Sequence, residues 1–375
     1  MKTVAAVLRA VTETRPYTTS LPMRLEEVEL GAPRAGELLV RIEAAGVCHS
    51  DLSVVDGSRV RPLPMALGHE AAGVVEQVGP GCRDVKPGDH VVLTFVPSCG
   101  VCPECSSGRP ALCGPGAAAN GAGTLLHGSS LLKDASGAPV NHHLGVSGFA
   151  RHAVVARESA VVVPPEVPLA ISALFGCAVL TGAGAVLNTA AVRPGQSVAI
   201  FGLGGVGLAS VMGAAVASAW PIVAVDPVAA KRKLALELGA TAAFAPEEAE
   251  QGIKDLTRGG AEVTFEAAGV PAVLEAAFRA VRRGGLTVAM GLPHPSRTLT
   301  LPALAFAGMG QSLLGSYMGS AAPQRDIPRY LALWKAGKMP VDRLQSATLP
   351  LEKINEAFEQ LAAGTAVRQV LLPHS

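Results

Sequence analysis

The sequence predicts an α/β protein in two main parts. A mainly β domain covers residues 1–178, a doubly wound α/β domain covers 179–320, and a C-terminal segment, 321–375, returns to the first part. Three observations predict this. The first part holds the apolar runs ELLVRIEAAGV, AAGVVEQVG, DHVVLTFV and RHAVVA, separated by Gly and Pro in PGD and VGPG, as strands are. The second part alternates strand and helix patterns, which implies βαβ units on a parallel sheet. A length of 375 residues exceeds one typical domain.

The alternation can be followed element by element. SVAIF is a strand, GVGLASVMGAAVASA a helix, IVAVD a strand and AAKRKLALELG a helix. TAAF and EVTFEAAG follow as strands, then the helix PAVLEAAFRAVRRGG and the strand LTVAMG. DIPRYLALWKAGK and LEKINEAFEQLAAG read as helices, and VRQVLL as a closing strand. No charged residue stands between Pro194 and Val225, which is long enough for a membrane span. That stretch contains GLGGVG and ends in WPIVAV, so it reads as strand, turn, helix and strand buried on all sides.

Composition narrows the function classes. Hydrophobic residues make up 49% and charged residues 16%, enough for a large core. The formal charge is +1, aromatics are 4% and no basic stripe occurs, which argues against nucleic acid or an anionic membrane as partner. No signal-peptide pattern is present, so a cytoplasmic protein is expected.

Seven cysteines carry the chemistry. Cys99, Cys102, Cys105 and Cys113 read C-x2-C-x2-C-x7-C, a spacing that suits a closed tetrahedral zinc. Two disulfides would be the other use of four clustered cysteines, but nothing else in the chain resembles a disulfide framework. Cys48 and Cys177 stand far apart with His69 between them in GHE. Two cysteines and one histidine leave a fourth zinc position open, the arrangement of a catalytic site. Two Zn2+ per chain are therefore expected. Cys82 is left as a loop or core thiol.

Gly202, Gly204 and Gly207 form G-x-G-x-x-G after a strand and at a helix start, and Asp226 closes the next strand, 24 residues after Gly202. The first glycine permits a tight turn, the second lets backbone approach a pyrophosphate, and the third packs helix on strand. Phosphates would meet unpaired N–H groups at the helix N-terminus. Asp226 would accept hydrogen bonds from ribose hydroxyls and repel a 2′-phosphate, favouring NAD over NADP.

CHSD at 48–51, GHE at 68–70, the four-cysteine lobe, FGCAVLTG around Cys177 and GLGGVG together resemble the zinc-dependent medium-chain alcohol dehydrogenases. The likeness runs nearly end to end, and the long segment between Cys113 and HHLGVSGF resembles the animal and class III-like branch. It implies a GroES-like catalytic domain, a Rossmann coenzyme domain, and a homodimer or homotetramer acting on a small alcohol or aldehyde. Cys48, His69 and Cys177 match the catalytic zinc ligands. Asp51 matches the acid that orients His69, Glu70 an acid behind the metal, and Ser50 the hydroxyl that takes the alcohol's proton. His49, Lys231 and Arg368 match cofactor contacts. Phe95, His143, Leu144, Leu292 and Tyr317 match substrate-lining positions.

The sequence also departs from that family. Ser53 stands where many members end a proton relay in histidine. Arg59 and Arg61 are expected at the rim of the pocket. GPGAAANGAG lacks the arginine of the glutathione-adduct branch, so a thiol-adduct activity would need another carrier. A non-catalytic binding protein on the same scaffold is the alternative of another class.

Overall fold

The computed structural model describes residues 1–375. The chain forms two compact units, one of Met1–Cys177, Ala322–Pro328 and Gln345–Ser375, the other of Ala178–Ala321 and Arg329–Leu344. The C-terminal segment is thus divided: Arg329–Leu344 belongs to the second unit.

The first unit is built on a seven-stranded sheet. Its order is Ala160–Val163, His90–Leu93, Ala71–Val78, Glu37–Val47, Arg368–Leu372, Gln345–Pro350, and His152–Ala156 also pairs with Glu37–Val47. The long strand Glu37–Val47 takes this central role because it is apolar on both faces. The closing strand pairs antiparallel with its end, Gln369 opposite Val47. Lys2–Leu8, Met23–Leu30, Leu132–Lys133, Pro139–His142 and Met65–Ala66 form a closed barrel. One apolar cluster, including Leu38, Ile42, Phe149 and Phe358, joins the sheet to the helix Ile354–Ala362.

The second unit is a six-stranded parallel sheet. Its order is Ala242–Phe244, Ile222–Val225, Val198–Phe201, Ala261–Glu266, Val281–Ala289, Ser312–Gly315. In chain order this is 3-2-1-4-5-6, the doubly wound arrangement whose order reverses beside its first strand. The charge-free stretch resolves into the strand Val198–Phe201, the helix Gly205–Val216 and the strand Ile222–Val225. No single helix is long and apolar enough to cross a membrane. One expectation fails: the helix read over PAVLEAAFRAVRRGG stops at Arg279, and VRRGG opens the strand Val281–Ala289. Val281 pairs with Ala261 at a register shift, so sheet pairing outweighs the helical pattern.

The glycine turn has distinct demands at each position. Gly202 adopts φ +90°, which a side chain would strain. Gly204 caps the helix with open space where a Cβ would stand. A Cβ at Gly207 would lie 1.8 Å from the Gly202 carbonyl oxygen. Gly207→Ala should therefore push the helix off the strand and destabilise the protein by about 1–3 kcal/mol, as overpacking does. Urea unfolding of the two forms measures this, and equal midpoints would remove the packing argument.

Candidate metal and nucleotide sites

The three-residue site begins with a helix cap. Cys48 precedes the helix His49–Val55, and Asp51 lies in its first turn. Asp51 Oδ2 accepts from the Cys48 N–H at 3.2 Å, so the acid fixes the backbone that presents the thiol. Asp51 Oδ1 pairs with His69 Nδ1 at 2.9 Å. His69 Nε2 is thereby turned to Cys177 Sγ, 3.3 Å away. The donor atoms of Cys48, His69 and Cys177 all lie within 4.8 Å of one another, and all three residues are buried. Close packing delivers two of them: a Cβ at Gly68 would meet the Phe149 N at 2.4 Å, and one at Gly176 the Leu93 O at 2.3 Å.

The electrostatics follow from burial. Burial opposes ionisation of Asp51, but the His69 charge and hydrogen bonds from His143 and His69 outweigh it and hold the carboxyl below its usual range. Burial likewise opposes charge on His69, yet Asp51 raises its pKa well above the ordinary value. A hydrogen bond from Cys177 holds Cys48 well down, while the same contact pushes Cys177 well up. Two thiols and an imidazole facing one point form a soft donor set that suits zinc, with Asp51 on the outer imidazole nitrogen.

Behind this set, Arg368 is buried. Its guanidinium donates to the Val47 carbonyl at 3.1 Å and stands 3.6 Å from Glu70 Oε2. Burial would lower its pKa, but Glu70, Cys48 and Cys177 raise it. The residue matched to a pyrophosphate contact thus faces the acid matched to the back of the metal.

His143 and Phe95 meet His69 edge-on, with ring centroids 5.7 and 5.6 Å away. His143 Nδ1 also approaches Asp51 Oδ1 to 3.3 Å. The carboxylate therefore serves two imidazoles, which the sequence did not signal. Leu144 follows with φ +51°, a strained conformation for a leucine. In the other unit Leu292 and Tyr317 are exposed side chains. Arg61 lies near enough to His143 to help lower its pKa, though burial is the main cause.

Ser50 is half-buried in the first turn and makes no side-chain hydrogen bond within the chain. The Ser53 hydroxyl donates to the His49 carbonyl at 2.8 Å, so it is held by its own helix. His49 is exposed.

The four-cysteine lobe brings the sulfurs of Cys99, Cys102, Cys105 and Cys113 within 4.8 Å of one another. All seven cysteines of the chain are free. Zn–S bonds of about 2.3 Å in a tetrahedron require sulfurs roughly 3.8 Å apart, and Cys102 and Cys113 stand at 4.0 Å. The Cys102 and Cys99 N–H groups donate to Cys99 and Cys113 sulfur. A hydrogen bond from the Cys105 backbone lowers Cys102 to about 6, and burial pushes Cys105 up to about 12. Cys82 stands apart, half-buried, with its sulfur 3.9 Å from the Glu37 carbonyl.

In the second unit, Asp226 is buried at the end of its strand. Its Oδ2 accepts from the Leu203 N–H and its Oδ1 from the Val228 N–H, both at 2.8 Å. Lys231 is half-exposed on the helix Ala229–Glu237. The neighbouring Arg232 reaches the Asp226 carbonyl at 2.7 Å instead. Glu266 ends the adjacent strand and accepts from the Ala268 and Gly269 N–H groups at 2.7 and 2.6 Å. No motif in the sequence marks Glu266, and the only mark of Arg232 is its place in the first turn of the helix that follows Asp226, six residues on.

Comparison with known proteins agrees with this architecture. Residues 34–166 match the alcohol dehydrogenase GroES-like domain and 205–336 the zinc-binding dehydrogenase model. The chain is 39% identical to an NDMA-dependent alcohol dehydrogenase of Amycolatopsis methanolica, over 99% of each chain. It is 40% identical to a geraniol dehydrogenase of Castellaniella defragrans, over 98% of this chain and 97% of that one. Benzyl alcohol dehydrogenase from Acinetobacter calcoaceticus superposes with a TM-score of 0.92 at 31% identity, over 99% of each chain. The chain belongs to the zinc-dependent medium-chain alcohol dehydrogenase family.

Proposed function

We propose that this protein interconverts a primary or secondary alcohol and its aldehyde or ketone, with two zinc ions per chain and NAD as hydride acceptor. The observation that carries this reading is the convergence of the donor atoms of Cys48, His69 and Cys177, with Ser50 in the first turn of the helix that Cys48 caps. Zinc would supply a Lewis acid for the alcohol oxygen, and NAD the acceptor for hydride. Cys48, His69 and Cys177 would hold the first ion, and Cys99, Cys102, Cys105 and Cys113 the second. Asp51 orients His69. Ser50 would relay the alcohol's proton, taking it on its oxygen while passing its own hydroxyl proton to a ribose hydroxyl of the nucleotide. Ser53 does not extend the relay, because its donor is held by the His49 carbonyl.

Gly202, Gly204 and Gly207 would cradle the pyrophosphate, and Asp226 would take the adenosine ribose. The relatives named above act on geraniol and benzyl alcohol by their names, which supports a hydrophobic alcohol as substrate. His49, Lys231 and Arg368 remain proposed cofactor contacts. Leu292 and Tyr317 remain proposed substrate contacts. The relatives are bacterial, so the animal and class III-like likeness rests on segment length alone. A homodimer or homotetramer in the cytoplasm is part of the proposal.

A second reading concerns the acceptor. The relative named for NDMA dependence favours alcohol oxidation coupled to an acceptor other than free NAD. An alcohol panel assayed with added NAD, and separately with NDMA, tests both readings. NADH formation supports the first and turnover with NDMA alone the second. Turnover of S-hydroxymethyl thiols only would support the adduct alternative, and no turnover in any arm would leave a binding protein.

Metal analysis should find two zinc ions per chain. Cys105→Ser should lower expression and thermal stability, since it leaves a closed site one thiolate short. Cys48→Ser should abolish activity with a smaller effect on stability. One ion or none in an active preparation would refute the assignment.

Asp226→Asn should weaken discrimination against NADP by about tenfold or more, because the repelling charge is gone. It should also cost about 1–3 kcal/mol, because the Leu203 or Val228 N–H loses its acceptor. The ratio of kcat/KM for the two cofactors measures the first effect, and equal ratios in both forms would remove the role of the charge.

Ser50→Ala should lower kcat by about 10²–10⁴-fold with little change in NAD affinity, the usual weight of a general-base step. A deuterated alcohol must first show that hydride transfer limits the rate. A near-normal kcat would exclude Ser50 as the proton acceptor.

A further inference from the structure

The helix that follows the four-cysteine lobe meets the backbone of two segments that flank the three-residue site. Cys113 caps the helix Gly114–Ala122, its sulfur accepting from the Gly116 N–H at 3.4 Å. The same sulfur accepts from the Cys99 N–H at 3.3 Å, so the cap is part of the lobe itself. Gly116 and Asn120 are four residues apart and share one face of the helix. That face lies on the segment Phe95–Pro97. A Cβ at Gly116 would stand 2.3 Å from the Pro97 carbonyl oxygen, so the backbones are in direct contact. One turn later, Asn120 Nδ2 donates to the Phe95 carbonyl at 2.7 Å. Asn120 is only 5% exposed, so water does not compete for this bond.

Phe95 is the residue whose ring meets His69 edge-on, with an interplanar angle of 90°. The residue just past the far end of the same helix meets the backbone next to the second neighbour. The Gly123 carbonyl, just past the helix, accepts from the His142 N–H at 2.8 Å. His142 precedes His143, the other ring that meets His69 edge-on. One short helix, capped by a lobe cysteine, thus holds the backbone beside both aromatic neighbours of His69.

We propose that Asn120 is a positioning residue that locks Phe95 against His69, so that the four-cysteine lobe sets one wall of the three-residue site. The lobe then acts on substrate choice as well as on stability. Asn120 touches no reacting atom and acts through the Phe95 backbone. Loosening Phe95 alters the width of the wall, and apolar pocket walls discriminate substrates by size. The lobe acts through the same path, because a disordered Cys113 would uncap the helix that carries Asn120.

The substrate part of this inference rests on the alcohol dehydrogenase reading; the positional part does not, and the experiment separates them. The chain has nine phenylalanines, so 4-fluorophenylalanine labelling yields fluorine signals among which Phe95→Leu identifies that of Phe95. Asn120→Ala should shift or broaden that signal, and Cys105→Ser should move it in the same way. Asn120→Asp keeps the volume but removes the donor, and it stands in if the alanine variant does not fold. In kinetics, Asn120→Ala should change the kcat/KM ratio of benzyl alcohol to ethanol by about threefold to tenfold. In a Phe95→Ala background the same substitution should change it by less than about twofold, since neighbours on one path are not additive. A Phe95 signal unmoved in both Asn120 variants overturns the positioning role. A full additive effect in the double variant overturns the path through Phe95. A moved signal in a protein that oxidises no alcohol keeps the inference and removes the proposed function.

Discussion

The structure depends on the buried carboxylate of Asp51. It is fully removed from solvent, which costs several kcal/mol for an uncompensated charge. It is tolerated because every direction is answered: the Cys48 N–H, the His69 ring, and the His143 ring at ion-pair distance. These partners come from three separated stretches of chain. The short helix His49–Val55 supplies the acid, the turn before Ala71–Val78 supplies His69, and the end of Pro139–His142 leads to His143. The carboxylate therefore fixes the barrel and the main sheet of the first unit to one point. It also turns His69 Nε2 towards the two sulfurs.

A second requirement follows from the first. Cys48, Cys177, Asp51 and Glu70 crowd acidic groups into one buried region, with His69 and Arg368 as the bases beside them. The opposite pKa displacements of Cys48 and Cys177 express this crowding: two thiols that approach closely hold one proton between them more easily than none. A divalent cation at their common point would relieve that repulsion. The donor set is soft, buried and supported on its outer nitrogen, which is the chemistry of a zinc site.

How much was legible in the sequence depends on the range of the interaction. The four lobe cysteines sit within fifteen residues, and their spacing alone foretold that their sulfurs would meet. The glycine turn was legible because each glycine answers a local demand, as Gly202 and Gly207 do. Cys177 was grouped with Cys48 and His69 by the count of cysteines left outside the lobe and then matched by resemblance, since no local pattern spans such a separation. The contacts that escaped reading depend on packing between distant strands. Arg368 turning to Glu70, and His143 sharing Asp51, arise from the pairing of Arg368–Leu372 with Glu37–Val47 and from the path of the barrel. The strand over VRRGG escaped because its register is set by Ala261, twenty residues earlier.

The two units solve one problem by the same means. In the first, Asp51 holds the backbone of Cys48. In the second, Asp226 holds Leu203 of the glycine turn with one oxygen and Val228 with the other. Glu266 does the same for the loop after the next strand, accepting from Ala268 and Gly269. Burial raises the Glu266 pKa, while those N–H groups work against the rise. At Asp226 a carboxylate suits the position because it accepts on both oxygens, whereas an amide offers one acceptor and would turn a donor towards an N–H; Glu266 takes both N–H groups on one oxygen. The acid at the end of each strand is therefore required by the loop before any ligand is considered. Recognition of a ribose by Asp226 would use only the lone pairs that the loop leaves over. On the proposed reading, loop geometry and cofactor choice would be coupled at this residue, because a change of charge there also disturbs the loop.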